Sequence, residues 1–197
     1  MSGSRCAVAL LLVLTAGGCT TVGRTNVFSR DLLTDAQQVI ADTQINHGEM
    51  TITASVDRPD KHYDVGQPIA LRVTVSDNAY VAILRVLANG DTAIVFPNRA
   101  HPKADVAAGT TLSVPGPNDA VTIAVNKPQL VLFEFIASSV GDSWLFNRKP
   151  DDGSDFADLG GTTRALAKDI TNALKVGKGP QTVASYIVVR VGGSGLF

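Results

Sequence analysis

The fold is decided by the stretch YVAILRVLANGDTAIVF, residues 80–96. Residues 80–87 are apolar at nearly every position, which is typical of a strand that is covered on both faces or has a partner layer against its outer side. Asn89-Gly90 follows at once, and such a pair between two β-rich runs indicates a hairpin, since both central residues of a type I′ turn need positive φ. The stretch therefore predicts a buried hairpin with its return strand over residues 92–96.

The segments on either side repeat the β pattern. Apolar and polar residues alternate over residues 50–55 and 69–75, which is typical of half-buried strands. Four more short strands are predicted, separated by turn residues or loops, at residues 111–114, 121–125, 130–137 and 182–191. Many short strands at regular intervals predict a mainly β fold, an antiparallel sandwich with one or two peripheral helices.

Two segments have helical periodicity. The first covers residues 32–45, and Thr34 and Gln37 are spaced as a capping box at its start. The second lies around residues 166–174 and is expected to end near Gly177. Residues 97–110 and 147–161 are predicted to be loops.

The N-terminus has the layout of a secretory signal peptide. Arg5 precedes an apolar run at residues 7–14, and small residues then lead to Cys19. This run is far shorter than the ~20 residues that cross a bilayer as a helix. Residues 14–19 resemble the lipobox of bacterial lipoproteins, which implies a diacylglycerol on Cys19, and Thr20 resembles the pattern that is sorted to the outer membrane. The alternative is an ordinary export signal followed by a coincidental cysteine.

These features predict the domain organisation: a signal peptide at 1–18, a tether at 19–30, and a single β-sandwich domain with an N-terminal helix at 31–197. Cys6 leaves with the signal and Cys19 carries lipid, so no thiol remains for a disulfide or a thiolate metal site. The formal net charge of -1 gives no positive field that would favour nucleic acid. Neither a nucleic-acid partner nor a cofactor is predicted.

A series of short motifs between Met50 and Ser138 resembles the bacterial family called domain of unknown function 4384. The motifs are YDVGQ at 63–67, AYV at 79–81, ANGD at 88–91, FPN at 96–98, AG at 108–109 and Pro115. The resemblance implies an envelope or secreted protein with an immunoglobulin-like sandwich. It implies no particular activity.

Catalytic chemistry has one candidate. GDSW at 141–144 resembles the nucleophile block of one esterase and lipase group, in which the serine needs a histidine to take its proton. No histidine follows His101, and the block lies near the start of the domain in that group. A hydrolase would require His101 to lie beside Ser143, and we therefore predict no catalytic residues.

Metal binding has one weak candidate. Asp151, Asp152 and Asp155 crowd a glycine-bearing loop, where carboxylate oxygens could hold calcium. Their spacing does not match the helix-loop-helix calcium motif, and a solvated acidic loop is the alternative. The three histidines are widely separated and favour no zinc site.

The leading functional hypothesis is a non-catalytic envelope lipoprotein, a binding or scaffolding module anchored to the membrane through Cys19. Its expected partner is a protein or a glycan. Trp144 and Phe146 are the candidate contact residues, because a loop tryptophan that is not buried is a frequent interface anchor; a place in the core is the alternative. The second hypothesis is an accessory role in a secretion or surface-assembly apparatus, and a hydrolase is the third.

Overall fold

The structure of the protein is a computed structural model that describes residues 30–43, 45–151, 153–175 and 181–193. The predicted signal peptide, the lipid-bearing Cys19 and the tether up to residue 29 lie outside the described residues. Asp152 and the expected helix end at Gly177 lie outside them as well. None of the helices in the described ranges is long and apolar enough to cross a membrane.

The described residues form ten strands and three α-helices. The strands are β1 (Ile52–Val56), β2 (His62–Tyr63), β3 (Leu71–Val75), β4 (Ala79–Val86), β5 (Thr92–Phe96), β6 (Asp105–Val106), β7 (Thr111–Val114), β8 (Gln129–Ser138), β9 (Ala157–Leu159) and β10 (Thr182–Val191). The helices are α1 (Asp35–Ala41), α2 (Trp144–Asn147) and α3 (Thr163–Lys175), and a 3₁₀ turn at Arg30–Leu32 precedes α1.

The strands form two sheets. The smaller has the order β1-β3-β7, and the larger has the order β2-β10-β8-β4-β5-β9, with β6 paired to the start of β4. The prediction of a mainly β sandwich is confirmed. The larger sheet is mixed rather than antiparallel, because β2 joins the end of β10 in the parallel direction, with Arg190 opposite His62. The chain between β2 and β10 contains the seven strands β3 to β9 as well as α2 and α3. A parallel pair requires such a long connection.

The first hydrophobic core lies between the two sheets. On β8, the side chains of Val131, Phe133 and Phe135 alternate toward this core, and all three are fully buried. Leu71 and Val73 face them from β3 in the smaller sheet. Each such side chain contributes roughly 1.5–3 kcal/mol on burial, so this alternation holds the sandwich together.

A second core lies on the other face of the larger sheet. Leu132 and Ile136 of β8 pack there with Ile40 of α1 and Ile170 of α3. In β4, Val81 and Ile83 lie in the first core and Ala82, Leu84 and Val86 in the second, which confirms cover on both faces for this part of residues 80–87; Tyr80 is 38% exposed. The expected one or two peripheral helices need correction, because three α-helices are present among the described residues and form a layer. They do so because the outer face of the sheet is as apolar as its inner face.

The predicted hairpin forms, but its turn type is wrong. Gly90 N–H donates to the Leu87 carbonyl and Leu87 N–H donates to the Asp91 carbonyl, both at 2.9 Å. Ala88 and Asn89 are therefore the central residues of a type I turn, and Gly90 follows in the left-handed region at φ 94°. The Asn89 side chain bonds Asp91, and the Asn89 backbone does not adopt a positive φ.

Residues 121–125, predicted to be a strand, form no strand and belong to neither sheet. Two backbone bonds hold the segment: Gly66 N–H to the Val125 carbonyl at 2.9 Å and Ile69 N–H to the Ile123 carbonyl at 2.8 Å. The two donors are three residues apart, whereas an antiparallel ladder bonds every second residue, and the Gln67 N–H donates to the Asp64 carbonyl instead. A continuous ladder therefore cannot form there.

The remaining differences concern short elements. β6 and β9 lie in segments predicted to be loops, and β2 and α2 were not predicted. Each of the four has four residues or fewer, too short for a periodic signal. α1 begins after Thr34 with the predicted capping box, which is confirmed. It ends at Ala41 rather than near residue 45, because the chain turns there and His47 pairs with Thr182.

Tyr63 supplies a test of the first core. Its phenol is buried and donates to Asp57 Oδ1 at 2.7 Å. The same oxygen also accepts the Ala70 N–H at 3.0 Å. Burial, and then the Asp57 carboxylate, raise the pKa of Tyr63 well above its usual range. Tyr63→Phe is expected to lower the free energy of unfolding by about 1–2 kcal/mol at neutral pH, measured by urea denaturation.

The same variant has a pH signature. Above a pH of about 10, tyrosine ionises in the unfolded chain while folded Tyr63 stays neutral. The free energy of unfolding of the wild type therefore falls as the pH rises. Tyr63→Phe lacks this ionisation, so the difference in free energy of unfolding between the two proteins shrinks. A gap that stays constant from neutral pH to about pH 11 would contradict this account, and Tyr186→Phe is the matched control.

Candidate binding surfaces

Trp144 and Phe146, the predicted contact residues, point in opposite directions. Ser143 caps α2 by accepting the Leu145 N–H at 3.3 Å. Trp144, the first residue of α2, is 36% exposed, whereas Leu145 and Phe146 are buried. The Phe146 ring lies 6.2 Å from the ring of Tyr80 between centroids. Phe146 is therefore a core residue and the prediction that it contacts a partner is wrong, since α2 docks through its second and third residues.

Trp144 lines an open groove of about 650 Å³ between α2, β9 and α3. The groove, called the Trp144 groove below, is lined by Trp144, Arg148, Leu159, Gly160, Leu166, Asp169, Asn172 and Ala173. Its walls combine an indole ring with a guanidinium, a carboxylate and an amide. An aromatic ring can stack on a flat apolar face, and the polar groups can fix its orientation by hydrogen bonds.

The catalytic arrangement considered above is not formed by the described residues. The Ser143 hydroxyl caps α2, and His101 Nε2 lies 2.9 Å from a carboxylate oxygen of Asp119. Asp119 also accepts the Gly116 N–H at 2.6 Å. No hydrogen bond joins Ser143 to His101 within this part of the chain, so His101 belongs to a loop contact instead.

The calcium candidates are not brought together either. Asp155 Oδ1 accepts two bonds from Arg99, at 2.6 and 3.1 Å, so its carboxylate is already paired with a cation. Asp151 contributes its carbonyl to the Ser154 N–H, and Asp152 lies outside the described residues. Across the ranges that the structure describes, no three His, Cys, Asp or Glu side chains lie close enough to hold a metal ion.

An arginine and an aspartate on the inner face of the larger sheet were not predicted from the sequence. Arg85 of β4 lies opposite Ala93 of β5, which lies opposite Asp158 of β9. Burial lowers the pKa of Arg85, and the carboxylates of Asp158 and Asp91 oppose that shift. An arginine inside the apolar run 80–87 was the available signal.

The fold and these surfaces define a β-sandwich domain with surface grooves. Residues 62–133 match the family model described as Domain of unknown function (DUF4384), which covers about a third of the chain. No curated protein matches the chain. The matched residues run from β2 into the first half of β8, so they include the central hairpin and exclude α2, α3 and the Trp144 groove.

Proposed function

We propose that the protein is a non-catalytic binding module of the bacterial cell envelope, held at the outer membrane by lipid on Cys19. Its contact surface is the Trp144 groove, and its partner is a protein or a glycan. The observation that supports this proposal is the 36% exposure of Trp144 in a shallow, open groove. An exposed tryptophan in such a groove loses its water only when a partner covers it, which makes it a typical anchor.

The composition of the groove supports the same proposal. Leu159, Leu166 and Ala173 supply apolar contact area beside the indole ring, and Arg148 and Asp169 add charges of opposite sign. Binding sites of this kind pair a large apolar contact with a few polar groups that set orientation. A sugar ring or a side chain of a protein would meet both requirements.

The start of the described residues at Arg30 fits anchoring on this side of the domain. Arg30, the first described residue, leads into α1; α1 packs on α3; and α3 lines the Trp144 groove. The groove therefore belongs to the same helical layer as Arg30 and α1. Residues 19–30 reach about 40 Å when fully extended, so the partner is expected close to the membrane surface.

Trp144→Ala is expected to weaken partner capture by at least about tenfold, the loss typical of a tryptophan anchor. The measurement is photocrosslinking in intact cells, with a photoreactive residue at Arg148 beside the ring. The mass of the adduct distinguishes a protein from a glycan. Adducts of equal yield with and without Trp144 would contradict the proposal.

The matched control for that experiment is Val65→Ala. Val65 is 47% exposed, so this variant also removes an exposed apolar side chain. It lies beside the Gly66 turn rather than in the Trp144 groove. Its adduct yield is expected to equal that of the unsubstituted chain.

A further inference from the structure

We propose that the open side of the sandwich, between β1 and β10, binds an extended segment of another polypeptide, which adds to β1 as an antiparallel strand. This site goes beyond the Trp144 groove and uses different elements. A cavity of about 610 Å³ lies there, lined mainly by residues 46–61 and 182–187.

The outer edge of β1 offers unused backbone groups. Thr51 accepts the Ser76 N–H at 3.1 Å, and Asp57 donates to the Ala70 carbonyl at 2.9 Å. Both are odd positions, so the odd residues of β1 bond β3. In an antiparallel ladder the even residues then direct N–H and C=O away from β3. Among the described residues no strand pairs with that edge.

The inner face of β10 is incompletely covered beside this edge. Val183 and Ile187 face the first core, and Ser185 lies between them on the same face. Val183 and Ser185 remain half-exposed, because the smaller sheet ends at β1. A strand added to β1 would place alternate side chains over this face, since side chains alternate with a period of two. The added strand would thereby complete the sandwich.

Within β1 itself, the edge lacks the protection that isolated domains usually carry; Pro59 and Lys61 lie beyond its end. Exposed edge strands are commonly guarded by lysine, proline or inward-pointing charges. The sequence of β1, residues 52–56, is ITASV, which contains none of these and consists of residues suited to strand pairing. Such an edge is suited to binding a polypeptide by strand addition.

The charges at the two ends of β1 set the expected polarity of the bound segment, and a carboxylate near Arg58 would share it with Asp60, 3.4 Å away. The charged residues that line the cavity are Glu49 before β1 and Arg58 and Lys61 after it. An antiparallel segment therefore needs an acidic residue at its N-terminal end, near Arg58, and a basic residue at its C-terminal end, near Glu49. Small or β-branched apolar residues are required at the alternate positions that cover β10.

The experiment uses the full chain in detergent and a fluorescent peptide, acetyl-EVSVTVK-amide. We expect saturable binding, at least about tenfold weaker binding of the charge-reversed peptide KVSVTVE, and slower hydrogen exchange of the amides of Ile52, Ala54 and Val56. Absence of saturable binding, or equal binding of the two peptides, would overturn the proposal.

Two variants locate the bound peptide. Ala54→Pro removes an N–H that faces away from β3, so the ladder inside the smaller sheet keeps its bonds. Ser185→Arg fills the face of β10 that the peptide would cover. Each is expected to weaken binding by at least about tenfold. If Ala54→Pro fails to fold, Ser185→Arg alone decides, and unchanged binding by a folded variant contradicts the proposal.

Trp144→Ala separates this site from the proposed function. Peptide binding by that variant is expected to equal that of the unsubstituted chain, because Trp144 and the β1 edge share no lining residue. Loss of peptide binding in Trp144→Ala would mean that the peptide occupies the Trp144 groove, which overturns the strand-addition site and leaves the Trp144 groove as the binding surface.

Discussion

Serine in place of Cys19 is expected to move the protein almost completely from the membrane fraction to the soluble fraction. A thioether-linked diacylglycerol would need the cysteine sulfur. Each buried methylene contributes about 0.8 kcal/mol, so two or three acyl chains bind effectively permanently and their loss leaves no comparable anchor. The measurement is fractionation of cells together with mass spectrometry of the mature N-terminus, whose mass in the unsubstituted protein should include the acyl chains.

Cys6→Ser is the matched control for that prediction. It makes the same substitution at the other of the two cysteines, and residue 6 precedes the predicted cleavage site. The mature protein from this variant is therefore expected to be identical to that of the unsubstituted chain and to stay with the membranes. If the wild-type protein is soluble and its N-terminus unmodified, the lipoprotein hypothesis is wrong and the protein is a freely secreted module.

The long strands could be predicted from the sequence because their signals are local. The apolar run at 80–87 predicted a strand covered on both faces or backed by a partner layer. β4 is covered by the smaller sheet on one face and by the helices on the other. The capping box at Thr34 was predictable for the same reason, since it depends on residues three apart. The turn type at Gly90 was not, because it depends on the register of β4 and β5, which shifts at Ile83.

The binding surfaces depend on contacts between distant segments, which periodicity cannot supply. Trp144 and Phe146 are two residues apart, yet only the docking of α2 decides that one ring is exposed and the other buried. The open edge of β1 exists because the smaller sheet stops there while the larger sheet continues. Glu134 shows the same limit: it lies in an apolar run and is buried at 2% exposure, which its sequence neighbours do not explain.

Gln37 joins the helical layer to the larger sheet, and its replacement by leucine is expected to have a large effect on stability. Its side chain is fully buried, and Nε2 donates to the carbonyls of Leu130 at 2.9 Å and Val86 at 3.2 Å. Oε1 accepts the Thr34 N–H at 3.2 Å and completes the capping box. Leucine has a similar volume, so it removes these bonds without opening a large cavity.

Gln37→Leu is expected to lower the free energy of unfolding by about 2–4 kcal/mol, because each buried group left without a partner costs about 1–3 kcal/mol. Urea denaturation followed by circular dichroism measures the loss. Gln38→Leu is the control. Gln38 is half-exposed, and its side chain donates to the carbonyl of Leu33, just before α1, rather than to the sheet. Its expected loss is below about 1 kcal/mol. Equal losses in the two variants would mean that the apolar contacts of α1, rather than the hydrogen bonds of Gln37, hold the helical layer to the sheet.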